Sequence, residues 1–295
     1  MKTRVRMRIK RVHSSCVVNN KLKHIHSTNV IPTDKDFIKM PFTACVQGAR
    51  GSGKTVATVT WVRHMEEAGY VTRTYLISPT AETNKVFKNL RTLSERDICS
   101  NPKVFQKALQ QVYQRVKASV ATYKKYLKQK ELYDRYKKGC VLSFREEGVL
   151  EEMNYESPVP RHMPRDLLIL DDVQGSQLFT NKREDLMVQL TIKHRHVPLS
   201  IIFLVQTFHG LPRPIRLNCT IYIVFLTSDE KQLNQLYEHF ANVVPREQFF
   251  RMYKFATSKP HGFLMIDTDP KTEQHRFRNG FNEFLCFEIR LIEEE

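Results

Sequence analysis

Between Phe42 and Ala68 the chain runs from a short apolar segment, through Gly48-Ala49-Arg50-Gly51-Ser52-Gly53-Lys54-Thr55, into a stretch with helical spacing. The spacing G-x-x-x-x-G-K-[ST] between a strand and a helix is the pattern of a loop that wraps phosphate groups with its backbone N–H groups. Glycines permit that wrapping, and the start of the following helix adds the positive end of its dipole. In such a loop Lys54 reaches the β- and γ-phosphates, and the Thr55 hydroxyl ligates Mg²⁺. A glycine-rich turn beside a solvated lysine would use the same letters. The flanking strand (Phe42–Val46) and helix (Lys54–Ala68) are what the phosphate reading needs in addition. Residues 48–55 are therefore the candidate nucleotide-binding residues, with ATP and Mg²⁺ as the candidate ligands.

The rest of the chain supplies a second half for such a site. Leu167–Leu170 is a wholly apolar run that delivers Asp171-Asp172 to its end, and Ser200–Val205 delivers Gln206-Thr207 in the same way. In open α/β folds ligands bind at the carboxyl ends of the strands. Asp171 is thus a candidate metal ligand. Asp172 is a candidate base for an attacking water. Gln206 is a candidate for positioning that water, although a turn glutamine would occupy the same place. Further strands are predicted at Arg73–Ile77, Thr220–Leu226, Gly262–Asp267 and Phe281–Glu288. Helices are predicted at Asp229–Asn242 and Arg246–Phe255. Strands alternating with helices predict an α/β fold with a mostly parallel sheet and helices on both faces.

A chain of 295 residues with a net charge of +16 invites the question of where the charge sits. Residues 1–33 carry +8, residues 101–138 carry +9, and the remainder carries −1. The excess is confined to two segments, which points to a polyanionic partner. The first segment reads as a basic arm over 1–37, in which "TRVRMRIKRV" alternates as an edge strand does. The second lies within a predicted helical insertion at about 96–148, ahead of a proline-containing connector at 154–165. Asn101-Pro102 is a helix-start signal. Phe105, Leu109, Val112, Val116, Val120, Tyr123 and Leu127 then form one apolar stripe for packing. Off the stripe, Lys117, Lys124, Lys125 and Lys128 are candidate DNA contacts. The six cysteines contain no C-x-x-C pair and no zinc spacing, consistent with free thiols. His194 and His196 alone do not make a metal site. No apolar run reaches the roughly 18 residues of a membrane span, and the N-terminus lacks the apolar core of a secretion signal.

The order of "GARGSGKT", "LISPT", "LLILDDV", "KHRHVPLSIIFLVQT" and "LPRPIRLN" over roughly residues 40–270 resembles the additional-strand branch of P-loop ATPases with a RecA-like core. Within that branch it is similar to the FtsK/HerA superfamily, and in particular to the genome-packaging ATPases of poxviruses, other large DNA viruses, virophages and Polinton-like elements. The resemblance implies a 38–295 ATPase domain and a homo-oligomeric ring, pentameric or hexameric. It implies ATP hydrolysis with Mg²⁺ that drives double-stranded DNA into a preformed shell. A capsid or portal-vertex protein would be a further partner, and the virion or a viral assembly site the location. It also implies Gln206 as γ-phosphate sensor and Arg195 as an arginine finger given to the neighbouring subunit, with Arg213 and Arg216 as alternatives. Many superfamily members carry glutamate where this chain has Asp172, and the basic insertion matches no family motif. A viral DNA helicase or another DNA-dependent ATPase fits the same residues. So, less well, do a nucleoside or nucleotide kinase and a nucleic-acid-binding module that holds ATP only as a structural ligand.

Overall fold

The computed structural model describes residues 6–13, 31–179, 182, 184–194 and 196–290. Its elements in chain order are β1 (Arg6–His13), β2 (Thr43–Gln47), α1 (Lys54–Glu67), β3 (Arg73–Ile77), β4 (Leu93–Cys99), α2 (Phe105–Lys137) and α3 (Phe144–Glu152). They continue with β5 (Asp166–Asp171), α4 (Leu186–Lys193), β6 (Leu199–Val205), α5 (Arg213–Arg216), β7 (Ile221–Phe225), α6 (Glu230–Phe240), α7 (Arg246–Ala256), β8 (Phe263–Asp267), β9 (Phe277–Asn279) and β10 (Glu283–Arg290).

The strands form one ten-stranded sheet in the order β1-β10-β9-β8-β7-β2-β6-β5-β3-β4. From β7 to β4 every neighbouring pair is parallel, and from β7 to β1 every pair is antiparallel. The central strands β2, β5, β6 and β7 are buried along their whole length because layers cover both faces. Side chains alternate between two cores. Leu168, Leu170, Ile201 and Phe203 face the layer that includes α4, α6 and α7, whereas Leu167, Ile169, Ile202 and Leu204 face the layer built around α1. The predicted α/β class and mostly parallel sheet are those of the structure. Strand β6 inserts between β2 and β5, so the ends of three parallel strands lie side by side. That arrangement sets up the site.

Three sequence expectations need correction. β4 was not expected, and the predicted start of the insertion at about 96 falls inside it. Among the described residues β4 is an edge strand that pairs with β3 alone, with a register shift between Thr74 and Leu76, so its sequence LSERDIC lacks the apolar run of a buried strand. Residues 31–37 are not part of a free arm. Ile31 and Phe37 are buried in the α1-side core, and Ile31 forms a β-bridge with Met40. The backbone at 6–13 runs antiparallel to β10 at the edge of the sheet, as its alternation suggested.

The third correction concerns α2. Asn101 accepts a hydrogen bond from the Lys103 N–H at 3.0 Å, and Pro102 opens a short 3-10 turn that runs into the helix, as expected. Phe105, Leu109, Val112 and Val116 are buried against the sheet, but Val120 and Tyr123 are only half-buried and Leu127 is exposed. Beyond about Val120 the helix has left the sheet. Its far end packs instead on α3, where Leu132 and Leu150 are buried and Arg135 pairs with Glu146. Glu146 also closes the Ser143 capping box that starts α3. Those hydrogen bonds, the Ser143 backbone N–H first, hold its carboxyl down at about 2.

The root of α2 is clasped to the sheet by one carboxylate. Asp97 on β4, with its side chain 2% exposed, receives Arg73 from β3 through two bonds of 2.8 and 3.1 Å and Arg115 from α2 at 2.8 Å. Both arginines keep access to water, so loss of the clasp does not strand a buried cation. Asp97→Ala is expected to lower unfolding free energy by about 1.5–3 kcal/mol, the usual worth of hydrogen bonds to charged groups. Denaturant unfolding monitored by circular dichroism reads this directly. A midpoint equal to wild type with an unchanged slope would mean that the clasp does not stabilise the fold.

Candidate nucleotide site

The loop 48–53 joins β2 to α1, and its geometry leaves little freedom in residue choice. Gly48 N–H donates to the Val205 carbonyl of β6 at 3.2 Å, tying the loop to the neighbouring strand. A Cβ on Gly48 would lie 2.5 Å from Ser52 Oγ and 2.9 Å from the Phe225 Cβ of β7. Gly53 precedes α1 with φ of 101°, a left-handed conformation that favours glycine. The expected nucleotide-binding residues Gly48 to Thr55 thus form one loop and one helix start. Ser52 Oγ is buried there and has no hydrogen-bond partner among the described residues.

Lys54 folds back over this loop. Its Nζ donates to the Gly48 carbonyl at 2.6 Å and to the Ala49 carbonyl at 2.9 Å. Burial pulls the ammonium below its ordinary pKa, and the negative charges of Asp171 and Asp172 pull it back up. Lys54 and the two acids, more than 100 residues apart in the chain, therefore share one electrostatic site.

Asp171 ends β5 and is buried. Its Oδ2 accepts from Ser78 Oγ at 3.3 Å and from Thr80 Oγ1 at 3.4 Å, both from the turn that follows β3. Desolvation raises its pKa above the ordinary carboxylate value. The Ser78 hydrogen bond opposes this, Asp172 adds to it, and Lys54 and Thr80 oppose it. Asp172 is exposed and adopts φ of 53°. Few non-glycine residues enter that region, and Asp and Asn do so most readily. The turn lifts the Asp172 carboxylate out of the strand, where Gln206 Nε2 reaches its Oδ1 at 3.4 Å. Gln206 itself follows β6, the strand between β2 and β5. The structure thus gathers Lys54, Asp171, Asp172 and Gln206 at one end of the sheet.

The Asp171 carboxylate and the Ser78 and Thr80 hydroxyls that hold it are oxygen ligands of the kind a hard divalent cation takes, as is the hydroxyl of Thr55 at the start of α1. Among the described residues no group of three or more His, Cys, Asp or Glu forms a cage of its own.

The other candidates are three arginines and the lysines of α2. Arg195 is outside the described residues. Arg213 is exposed beside a groove of about 410 Å³ that His209 and Gly175 also line. Arg216 is engaged, with Nη1 donating to His209 Nδ1 at 2.7 Å and its guanidinium 4.8 Å from the Phe208 ring centre. Lys117, Lys124, Lys125 and Lys128 are all exposed on α2. At 3.6 residues per turn, Lys117, Lys124 and Lys128 lie within about 40° of one another around the helix, and Lys125 lies roughly 60° beyond Lys128.

Sequence reasoning passed over Ser78 and Thr80 as partners of Asp171. Their signal was a polar Ser-Pro-Thr directly after a buried strand, which is what a strand end at the ligand-binding edge looks like. It also passed over His261, whose Nδ1 lies 3.1 Å from the Ser52 carbonyl oxygen.

Residues 142–265 match the family described as Poxvirus A32 protein. Uncharacterized protein 075L of Invertebrate iridescent virus 6 is 23% identical over 137 residues, which cover 46% of this chain and 50% of that protein. The chain thus spans about half the length of that relative. Among solved structures, the genome packaging NTPase B204 of Sulfolobus turreted icosahedral virus 2, in complex with sulfate, has a TM-score of 0.48 at 14% identity, over 86% of this chain and 98% of that one. The conjugation coupling protein TcpA of pCW3, with ATPγS, has a TM-score of 0.42 at 15% identity, over 77% of this chain and 57% of that one.

Proposed function

We propose that this chain is a P-loop ATPase that drives double-stranded DNA into a viral shell during genome packaging. The observation that supports it most is the position of β6 between β2 and β5, which sets Gln206 and Asp172 in contact at the end of the sheet that carries the phosphate loop. The likeness of residues 142–265 to the Poxvirus A32 protein directs the reading toward packaging.

In this reading the amides of residues 48–55 cradle the phosphates of ATP. Lys54 leaves the Gly48 and Ala49 carbonyls for the β- and γ-phosphates. Asp172 accepts a proton from the attacking water, and Gln206, bonded to that carboxylate, orients the water. Thr55 and Asp171 would hold Mg²⁺, which would supply positive charge against the phosphates. Water as acceptor, prepared by a carboxylate and an amide, favours hydrolysis over transfer to a nucleoside. Subunits assemble into a ring around DNA in the infected cell, and Arg195 is the group given to a neighbour's ATP. No helix of the described residues is long and apolar enough to cross a membrane.

DNA contact is assigned to the exposed basic face of α2. Backbone contacts release counterions, so log affinity falls linearly with log salt at about 0.9 per neutralised phosphate. Reversing Lys117, Lys124, Lys125 and Lys128 together to glutamate is expected to flatten that slope by about 2–4 and to lower DNA-stimulated ATP turnover. Duplex binding over a salt series, with ATP turnover measured with and without DNA, tests both halves of the reading. A wild-type chain whose ATP turnover ignores DNA would sink the motor. An unchanged slope in the variant would sink the assignment of α2. Unwinding of a forked duplex would favour a helicase instead.

A further inference from the structure

The segment Ser258-Lys259-Pro260-His261-Gly262 joins α7 to β8 and touches the phosphate loop. Gly262 N–H donates to the Lys259 carbonyl at 2.9 Å, closing a four-residue turn. Pro260 occupies its second place and His261, with φ of 59°, its third. That is the pattern of a type II turn, whose third place ordinarily takes glycine or asparagine. Glycine stands one residue later for want of space, because a Cβ on Gly262 would lie 2.5 Å from the Ala256 carbonyl oxygen. A histidine in the left-handed region persists where its surroundings hold it there, and such positions cluster at functional sites.

What holds His261 is the loop itself. Its Nδ1 sits 3.1 Å from the Ser52 carbonyl oxygen, and its ring lies over Gly53, where a Cβ would come within 3.2 Å of Nδ1. A carbonyl oxygen only accepts, so Nδ1 carries the hydrogen and donates. The Ser52–Gly53 peptide is planar and trans, so its C=O and N–H point in opposite directions. A carbonyl drawn outward to His261 therefore turns the Gly53 N–H inward. Gly53 immediately precedes α1, and the unpaired amides of a helix start point up into the loop.

We infer that His261 is a positioning residue of the nucleotide site: it orients the Ser52–Gly53 peptide so that the Gly53 N–H faces a bound phosphate. The inference rests on the nucleotide reading above and extends it to a residue more than 200 positions away. With Phe225 pressed against Gly48, it also means that β7 and the turn before β8 buttress the loop at both ends.

Three proteins and one probe, ADP with Mg²⁺, test this by titration calorimetry. His261→Gly keeps the backbone conformation and removes the donor. His261→Asn tolerates positive φ and retains an N–H donor. ADP affinity is expected to fall roughly three- to tenfold in His261→Gly, the span of one neutral hydrogen bond, and to stay within about twofold of wild type in His261→Asn. Steady-state ATP hydrolysis by His261→Gly should show KM rising more than kcat falls. Melting without nucleotide should be alike in the two variants, which a merely structural role would not produce. Wild-type ADP affinity in His261→Gly would overturn the inference. So would equal losses in both variants accompanied by equal losses of melting temperature. A wild-type chain that binds no ADP would overturn the nucleotide reading itself, a separate and recognisable result.

Discussion

Lys54→Ala is expected to lower ATP turnover by at least about 10²–10³-fold, the usual cost of removing one charge-stabilising donor from a transferring group. In the structure the ammonium is half-buried over the Gly48 and Ala49 carbonyls and lies in the field of Asp171 and Asp172. In the proposed function those two carbonyl bonds are exchanged for phosphate contacts when nucleotide enters. The alanine variant therefore loses ground-state binding as well as stabilisation of the charge that develops on the transferring phosphoryl group. Affinity for ATP should fall by roughly tenfold, the order of one charge-assisted hydrogen bond. The fold itself should be little affected, because the loop remains tied to β6 through Gly48 and to the 259–262 turn through Ser52. Single-turnover hydrolysis together with nucleotide titration separates the two effects. A variant that retains a tenth of wild-type turnover would remove Lys54 from the chemistry.

Asp172→Asn should give the opposite partition: nucleotide affinity within about threefold of wild type and kcat lower by about 10²–10⁴-fold. The substitution is unusually clean. Asparagine accepts φ of 53° as readily as aspartate, so the turn after β5 keeps its shape. The amide oxygen can still accept from Gln206 Nε2. What disappears is the charge and the capacity to take a proton. One negative charge near Lys54 goes as well, which should leave ATP binding intact or slightly improved. Wild-type hydrolysis by this variant would show that the water is activated by another group, and Asp171 would then be the next carboxylate to test.

The parts of the site legible in the sequence were those whose chemistry is written in consecutive residues. Gly48 to Thr55 stand out because the spacing of glycine, lysine and threonine is that of loops that surround phosphates. Asp171-Asp172 and Gln206 were legible because each follows a short, wholly apolar run of the length a buried strand takes. What stayed hidden depends on contacts between distant segments. Ser78 and Thr80 reach Asp171 across more than 90 residues, and His261 reaches Ser52 across 209. No local pattern reports such a pairing, although the Pro-His-Gly turn leaves an unusual residue in a glycine position. β4 was hidden for another reason. An edge strand needs no continuous apolar run, and Ser94, Glu95 and Arg96 are exposed in succession. The apolar stripe on α2 runs further than its contact with the sheet, because periodicity shows which side of a helix is apolar and not where its partner ends.

The Asp97 clasp has a mechanical consequence. It grips α2 at Arg115, leaving 22 residues of helix beyond it, an arm of roughly 33 Å at 1.5 Å per residue. The arm is held at its root beside β3, the strand that leads to Ser78, and its outer half is braced by α3. A tilt of about 10° at Arg115 would sweep the far end through roughly 6 Å, close to the axial rise of two base pairs of duplex DNA. The far end thus moves about twice as far as the buried root at Phe105, which lies on the other side of Arg115.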